Sequence, residues 1–407
     1  MTADVQPVQV TYRADAAALF PLALGTGLLS VVTLGIYRFW AKARIRRFVW
    51  SQIRVGDDAL EFTGTGLEMF LGFLLAVVVL AVYLAGIQLL LFFFGIRFIF
   101  APETPLEEAM QAGSIGLSFL AAVPLMLVAL YRARRYRMNR TRLRGIRFGM
   151  ENAGLGYMIR ALVYGVLAVV SLGILWPLMT YRLEAYMTDR SHWGSARFRQ
   201  GGAWGGLYAA LRPYLIGLGF LLVGAVFLAL GEAWFGGVVV AMGTIWALFG
   251  MALYQTRAFG YLTSHKSLIL PGPAAPMHFG AAPRGGRVIW LYIKGGFIVL
   301  LLASVASGML FGAVGMMSAQ ILGFGGEPSA FAIAEVAVIG AVAYLVFLSV
   351  FGTLSLVFIS QPILGYLAGS VQVFVPTGFL DALHQARAEV GADADGFADA
   401  LDIGGAF

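Results

Sequence analysis

The side chains best placed to do chemistry are a few polar residues inside long apolar runs. Gln88 falls near the middle of Leu67–Ile99, Arg160 and then Tyr164 fall early in Leu155–Thr180, and Glu335 falls just inside Ala330–Ile359. A polar or ionisable group at membrane depth is costly and is kept for a reason, such as lining a path for a solute. Broken helices in transporters build sites this way. The plainer reading is that Arg160 snorkels to the surface, while Glu68 favours the start of its helix and pairs with Arg44 or Arg47. Enzyme chemistry has less support. The four histidines, His192, His265, His278 and His384, form no HExxH or other ligand spacing. There is no phosphate-loop lysine, no GxSxG and no dinucleotide glycine pattern after a strand, and the absence of cysteine excludes disulfides and thiolate chemistry. The expectation is no enzyme activity, no cofactor and no metal.

A second group of residues could hold lipid headgroups. Arg44, Arg46 and Arg47 form one basic cluster and Arg132, Arg134 and Arg135 a second, interleaved with Phe48, Trp50, Tyr131 and Tyr136. Basic residues near an anionic leaflet contribute roughly 1 kcal/mol each, and the aromatics suit helices lying in the interface. The net charge of +7 fits cytoplasmic loops better than nucleic-acid binding. The expected partners are the bilayer, anionic lipids and an envelope protein.

The elements that must position these groups are membrane helices. Of 407 residues, 60% are hydrophobic and 12% charged, about half the charged share of a soluble protein. Leu67–Ile99 and Ala330–Phe358 exceed the ~20 residues needed to span a hydrocarbon core, and a membrane β-barrel would show short alternating segments instead. The first residues carry no basic stretch ahead of an apolar run, so no cleaved signal is expected there.

Charge decides the topology. If every apolar segment crosses, there are eight spans, and Arg182, Arg190, Arg197, Arg199, Arg212, Arg257, Lys266, Arg284, Arg287 and Lys294 fall on the outer side, against the positive-inside rule. If Leu155–Thr180 instead dips in and returns, all basic residues except Arg97 are cytoplasmic, 27 of 28. The first apolar segment, with SVVTLGIYRFWAKAR beside VVSLGILWPLMTYRL, is its repeat mate; Gly25 and Gly27 mark the expected break. The expected topology is six full crossings, two re-entrant or half-helix elements and cytoplasmic N- and C-termini.

A shorter pattern also recurs: an aromatic closing a strand, small residues, then an aromatic entering the membrane. It reads TYRADAAALF, EFTGTGLEMF, RFGMENAGLGY and RFRQGGAWGGLY, so that Phe62, Phe148 and Phe198 occupy equivalent places at the expected headgroup level. Val55-Gly56-Asp57-Asp58 reads as a hairpin turn, and strands from several repeats could share one small cytosolic sheet. The fold class expected is therefore an all-α polytopic membrane protein with internal repeats and short cytoplasmic β-hairpins. Residues 1–370 make a repeat-built transmembrane domain with units near 8–131, 146–254 and 277–358. Residues 371–407 make a cytoplasmic tail, amphipathic and then acidic, with Phe379, Leu380, Leu383, Phe397, Ala400 and Leu401 at helical spacing.

Thr33-Leu34-Gly35-Ile36-Tyr37, then Trp40-Ala41, Lys42 and Arg44, followed by Gly64-Thr65-Gly66-Leu67-Glu68-Met69-Phe70-Leu71-Gly72, resemble the YjgN-like bacterial inner-membrane proteins. The resemblance implies a multi-pass protein of the bacterial inner membrane and supplies no catalytic residues. Relatives encoded beside a metallopeptidase extend it to envelope upkeep. Transport or lipid handling and a non-catalytic scaffold for an envelope partner are the two functions expected.

Overall fold

A computed structural model of the protein describes residues 5–13, 15–96, 102, 104–322 and 329–384. The acidic loop around Glu103, Arg97, and the helical pattern at Phe397, Ala400 and Leu401 lie outside them. The chain divides into two compact units, Met1–Phe62, Gly206–His265 and His278–Thr377 in one, Thr63–Gly205, Lys266–Met277 and Gly378–Phe407 in the other. In the first, β1 (Val5–Tyr12) leads to α1 (Ala16–Val32), a tight turn, α2 (Arg38–Ser51) and the hairpin β2 (Ile53–Val55) and β3 (Asp58–Phe62). In the second, α3 (Gly66–Phe93) and α4 (Pro105–Asn139) precede β4 (Thr141–Leu143) and β5 (Ile146–Met150). Next are α5 (Gly154–Val170), α6 (Trp176–Thr188), β6 (Ser191–Trp193) and β7 (Ala196–Gln200). The first unit resumes with α7 (Tyr208–Ala229) and α8 (Ala233–Ser264), and β8 (Lys266–Ile269) belongs to the second. Then come β9 (Met277–Ala281), α9 (Gly285–Leu322), α10 (Ala330–Ser355), a π turn at Leu356–Ser360, α11 (Gln361–Gly369) and β10 (Val371–Pro376).

Among the described residues, six helices are long and apolar enough to cross a membrane: Gly66–Phe93, Pro105–Asn139, Trp204–Ala229, Ala233–Ser264, Gly285–Ile321 and Ala330–Gly369. The protein is a multi-pass membrane protein. The helices α1, α3, α4 and α10 start where a side chain satisfies a free amide. Thr65 accepts from the Glu68 N–H at 3.3 Å, and Thr104 and Glu107 form a capping box ahead of α4. Between α7 and α8 the seam is built from glycine. A Cβ on Gly217 would lie 2.5 Å from the Ala247 nitrogen, one on Gly224 2.8 Å from that of Val240, and one on Gly243 2.8 Å from that of Leu221. Small residues let the two backbones touch, which is how helices associate where lipid removes the hydrophobic drive.

The helices α1 and α5 have 17 residues each, about 25 Å at 1.5 Å per residue, short of a bilayer core. Ala16 and Gly154, Arg38 and Trp176, Ile53 and Ser191, and Asp58 and Ala196 begin matching elements, each pair 138 residues apart. The turn between the paired helices repeats atom for atom. The Gly35 N–H reaches the Ser30 carbonyl and the Leu34 N–H that of Val31, while Gly173 reaches Ala168 and Leu172 reaches Val169. This double bond pattern is a Schellman ending. Thr33 Oγ1 then accepts from Tyr37 N–H at 2.9 Å, and Ser171 Oγ accepts from Leu175 N–H at 3.0 Å, closing the turn into the next helix. The break expected at Gly25 and Gly27 falls here instead. α1 runs unbroken through both, because Gly27 provides close approach to Ser349 of α10 rather than a turn.

Leu34 and Leu172 both sit at φ 51°, with Gly35 and Gly173 at 89° and 85° behind them. A leucine in the left-handed region costs on the order of 1 kcal/mol or more. Both leucines are exposed, with Val32 and Val170 beside them, so each hairpin ends in an apolar tip. Leu34→Gly or Leu172→Gly should therefore raise thermal stability, by up to about 1 kcal/mol once the entropy of the unfolded chain is counted. Gly35→Ala should lower it by about 1–3 kcal/mol. Melting of the detergent-solubilised variants checks both.

The expectation of an all-α fold with short hairpins only is overturned. The strands form a closed ten-stranded barrel in the order β1-β10-β9-β8-β7-β6-β5-β4-β3-β2. In the first unit β9, β10, β1, β2 and β3 pair in sequence, all antiparallel; in the second, β4 to β8 do the same. Alternation sets the faces. Val10, Phe62, Leu143, Met150, Trp193, Ala196, Leu268 and Val373 are buried on one side, and Thr11, Glu61, Arg197, Arg199 and Gln372 are exposed on the other. The longest strand has 8 residues and most have 3 to 5, below the ~9–11 that cross a bilayer. The barrel is therefore not the membrane element. Pairing releases each three-residue strand from standing as a marginal hairpin. The segment after residue 370 opens with β10, and Phe379 and Leu383 beyond it are buried.

Candidate functional site

A partly buried charged cluster lies where α4, α6 and β8 of the second unit meet. Glu184 takes a forked bond from Arg134, Nη1 to Oε2 at 2.7 Å and Nη2 to Oε1 at 3.0 Å. Lys266 Nζ donates to Oε1 at 2.6 Å and Thr188 Oγ1 donates to the same oxygen at 3.2 Å. The two charged partners and the carboxylate are 18–28% exposed. Burial alone would push the Glu184 carboxyl up, but the Arg134 guanidinium and Lys266 ammonium hold it well below the usual carboxylate range. The group is thus a fixed anion bridging two cations. It orients three elements.

Beside it three tyrosines form a buried aromatic knot. Tyr131, Tyr157 and Tyr186 pack with centroids 5.5 to 6.4 Å apart, Tyr131 donating to the Glu151 carbonyl and Tyr186 to the Ala153 carbonyl. Arg190 lies 3.6 Å over the Tyr186 ring and Arg160 4.5 Å over the same ring. Two guanidiniums on one ring gain from its quadrupole. A cleft of about 440 Å³ opens beside this knot, lined by Glu151, Asp189, Arg190, Arg197, Phe198 and Arg199 among others. Arg197 reaches Glu151 at 3.4 Å, and Asp189 accepts from the Gln200 N–H at 2.8 Å.

The residues singled out in the sequence do not assemble into one site. Gln88 donates to Ser118 at 2.6 Å and accepts from Ser114 at 3.3 Å, so it clasps α3 to α4. Arg160 donates to the Gly156 carbonyl and leans on Tyr186; Tyr164 is half-buried on the same helix, and Glu335 is exposed on α10. Glu68 meets Arg140 at 3.1 Å and accepts from Tyr136 at 3.2 Å, so a counter-charge reaches it from the end of α4.

Of the headgroup candidates, Arg46 is buried and lies over Trp50 and Phe62, at 5.7 and 5.3 Å. Arg134 belongs to the Glu184 cluster, and Arg135 is buried and donates to the Met150 carbonyl. Arg44 and Arg47 face outward and Arg132 is partly covered. The repeat-motif residues are structural. Tyr37 stacks on Trp40 and accepts from Arg44, while Gly64 and Gly66 are buried at the entry to α3 and Phe70 is half-buried. Phe62, Phe148 and Phe198 fill the inner side of the strands rather than a headgroup belt, Phe148 stacking on Trp193 at 5.4 Å and on Phe198 at 6.5 Å. An apolar sheet face needs that bulk.

Glu184 and Lys266 were not among the residues picked from sequence. The available signal is that Glu184 is the one acidic residue between Glu151 and Asp189.

The DUF898 family, described as a bacterial protein of unknown function, matches residues 7–400. The chain belongs to this family. It is also similar to the "Inner membrane protein YjgN" of Salmonella typhimurium, 24% identical over 168 residues. That match covers 38% of this chain and 36% of the relative, so the chain spans about a third of the length of that curated relative. No solved structure matches.

Proposed function

We propose that the protein is a non-catalytic lipid-handling protein of the bacterial inner membrane, with the barrel and both ends of the chain on the cytoplasmic side. The observation that supports this most is the paired hairpin α1–α2, repeated as α5–α6. Each has an exposed apolar tip, at Val32 and Leu34 or Val170 and Leu172, and the returning helix carries Arg38, Arg44, Arg46 and Arg47 in α2 and Arg182 in α6. A tip of this kind enters the acyl region while the basic helix stays among headgroups. Charge along the chain supports the orientation, since Arg54, Arg142, Arg144, Arg147, Arg197 and Arg199 lie in the strands and their tight turns, and Arg132, Arg134, Arg135, Arg137 and Arg140 lie at the end of α4 that leads into them. The name of the similar Salmonella protein is consistent with an inner-membrane location.

Arg44 and Arg47, exposed on α2, are the headgroup contacts in this reading. Replacing both with glutamine should weaken retention of anionic lipid by roughly 10- to 30-fold, at about 1 kcal/mol for each charge near the surface. Lipid that co-purifies with the protein, measured by mass spectrometry, reads this directly; retention equal to the unsubstituted protein would remove the proposal. A scaffold for an envelope partner is the second reading. It is favoured by Gln88 closing on Ser114 and Ser118, which ties two spans together instead of opening a polar path.

A further inference from the structure

The cleft beside the tyrosine knot has the chemistry of a binding site. It lies wholly within the second unit and holds about 440 Å³, with Arg190, Arg197 and Arg199 on one side and Ile269, Leu270 and Pro271 on another. That volume suits a small organic molecule rather than a bare ion.

The strands set the three arginines together. Arg197 and Arg199 stand two apart on β7, so they share its exposed face. His192 pairs with Arg197 across β6 and β7, and continuing that register by two residues places Arg190 across from Arg199. Arg190 is held from behind: its guanidinium lies 3.6 Å from the centre of the Tyr186 ring, and Nη1 donates to the Tyr186 carbonyl at 3.1 Å. Among the described residues the Arg199 side chain makes no hydrogen bond or ion pair. Two carboxylates line the same cleft. Asp189 accepts from the Gln200 N–H at 2.8 Å. Glu151 meets Arg197 at 3.4 Å, with side chains 41% and 73% exposed, and an ion pair so open to water is weak and readily exchanged. Like charges opposite one another on neighbouring strands repel. An anion between Arg190 and Arg199 removes that cost.

The fold does not need these arginines, because the first unit builds the same frame without them. Its matching hairpin strand begins at Asp58, 138 residues before Ala196. The Arg13 N–H donates to the Gln52 carbonyl at 3.0 Å, just as the Glu151 N–H donates to the Arg190 carbonyl at 3.0 Å. Gln52, Ala59 and Glu61 stand there in place of Arg190, Arg197 and Arg199. Two positions are neutral and one is reversed in sign, so the arginines serve something other than the hairpin.

We propose that this cleft binds an organic phosphate, with Arg190, Arg197 and Arg199 on the phosphate group and Ile269, Leu270 and Pro271 against its carbon skeleton. Guanidinium forks match phosphate oxygens in pairs, and three forks offer more donors than one carboxylate can accept. The phosphate displaces Glu151 from Arg197. The same group is carried by a membrane phospholipid and by a free phosphate ester, and both present it to the arginines in the same way. The site makes no use of Arg44 or Arg47, so it stands or falls apart from the lipid contacts of α2.

Calorimetric titration of the full-length protein, in dodecyl maltoside and phosphate-free buffer, tests the site with two probes: glycerol 3-phosphate and a short-chain phosphatidylglycerol. At least one should bind saturably. Arg199→Gln should weaken that binding roughly 10-fold or more, the loss of a hydrogen bond to a charged group, with the melting temperature unchanged. Glu151→Gln should act in the opposite direction and tighten binding about two- to fivefold, because the competitor for Arg197 is gone. Arg182→Gln, at an exposed position of α6 outside the cleft, removes the same charge and should leave the affinity within about twofold, since salt screens distant surface charge. Tighter binding of the phospholipid would assign the cleft to headgroups, and equal or tighter binding of glycerol 3-phosphate to a free ester; both outcomes support a phosphate site. No saturable binding of either probe, equal losses in Arg199→Gln and Arg182→Gln, or weaker binding in Glu151→Gln would overturn the proposal.

Discussion

Replacing Glu184 with alanine should be the most damaging single change in the second unit, lowering stability by about 2–4 kcal/mol, the range for breaking a buried ion pair reduced for partial exposure. The carboxylate holds Arg134 by two bonds and Lys266 by one, and its loss leaves two cations facing each other across α4 and β8. The penalty comes mainly from those uncompensated charges, so the prediction has a second arm. Arg134→Met, Glu184→Leu and Lys266→Met together should recover most of the loss, because replacing a whole buried ion cluster with apolar groups is often close to neutral. The pH dependence has a definite sign. The Glu184 carboxyl is held below its ordinary 4.5 in the folded state. Its contribution is therefore complete above about pH 4.5 and is lost as pH falls below that value. Thermal melts of the purified protein between pH 7 and pH 3.5 should show a steeper acid loss than melts of the apolar triple variant.

Gly217→Ala should come next in size. Its new methyl would lie 2.5 Å from the Ala247 nitrogen, so α7 and α8 must separate along a seam that depends on contact between backbones. Overpacking of this kind costs about 1–3 kcal/mol, and in a helix pair held by close packing it also loosens the neighbouring Gly224 and Gly243 contacts. Gly219, on the same helix with nothing within 4 Å, is the internal control. Gly219→Ala should be neutral or stabilising by up to about 1 kcal/mol, from helix propensity alone. Comparing the two melting temperatures separates the seam from any general effect of glycine.

The membrane helices were legible in the sequence because each repeats one simple property over twenty or more residues. The number of long apolar helices and the two short ones came from the placement of arginine and lysine. The barrel was not legible as a barrel. Strands such as Ile53–Val55, Thr141–Leu143 and Ser191–Trp193 have 3 residues each, which leaves one or two inward side chains and no period to detect. The turns were easier: Gly56, at φ 64°, closes the β2–β3 hairpin where the glycine suggested it. What no local pattern contains is that β1 pairs with β10, joining Val8 to Val373 across almost the whole chain. The polar residues chosen by depth, Gln88 and Arg160, turned out to be held by near neighbours. The Glu184 cluster draws one member from each of three distant segments, a juxtaposition that only the fold creates.

Accessibility of single cysteines in this cysteine-free chain tests the account most directly. Asp57→Cys and Ser195→Cys, in the tight turns of the barrel, should react with a membrane-impermeant maleimide in inside-out vesicles and not in intact spheroplasts. Glu232→Cys, between α7 and α8, should show the reverse. Leu34→Cys and Leu172→Cys, at the tips of the two hairpins, should react from neither side. Labelling of Leu172→Cys from the outer face, or of Ser195→Cys in spheroplasts, would mean that α5 crosses the membrane and would contradict the cytoplasmic barrel.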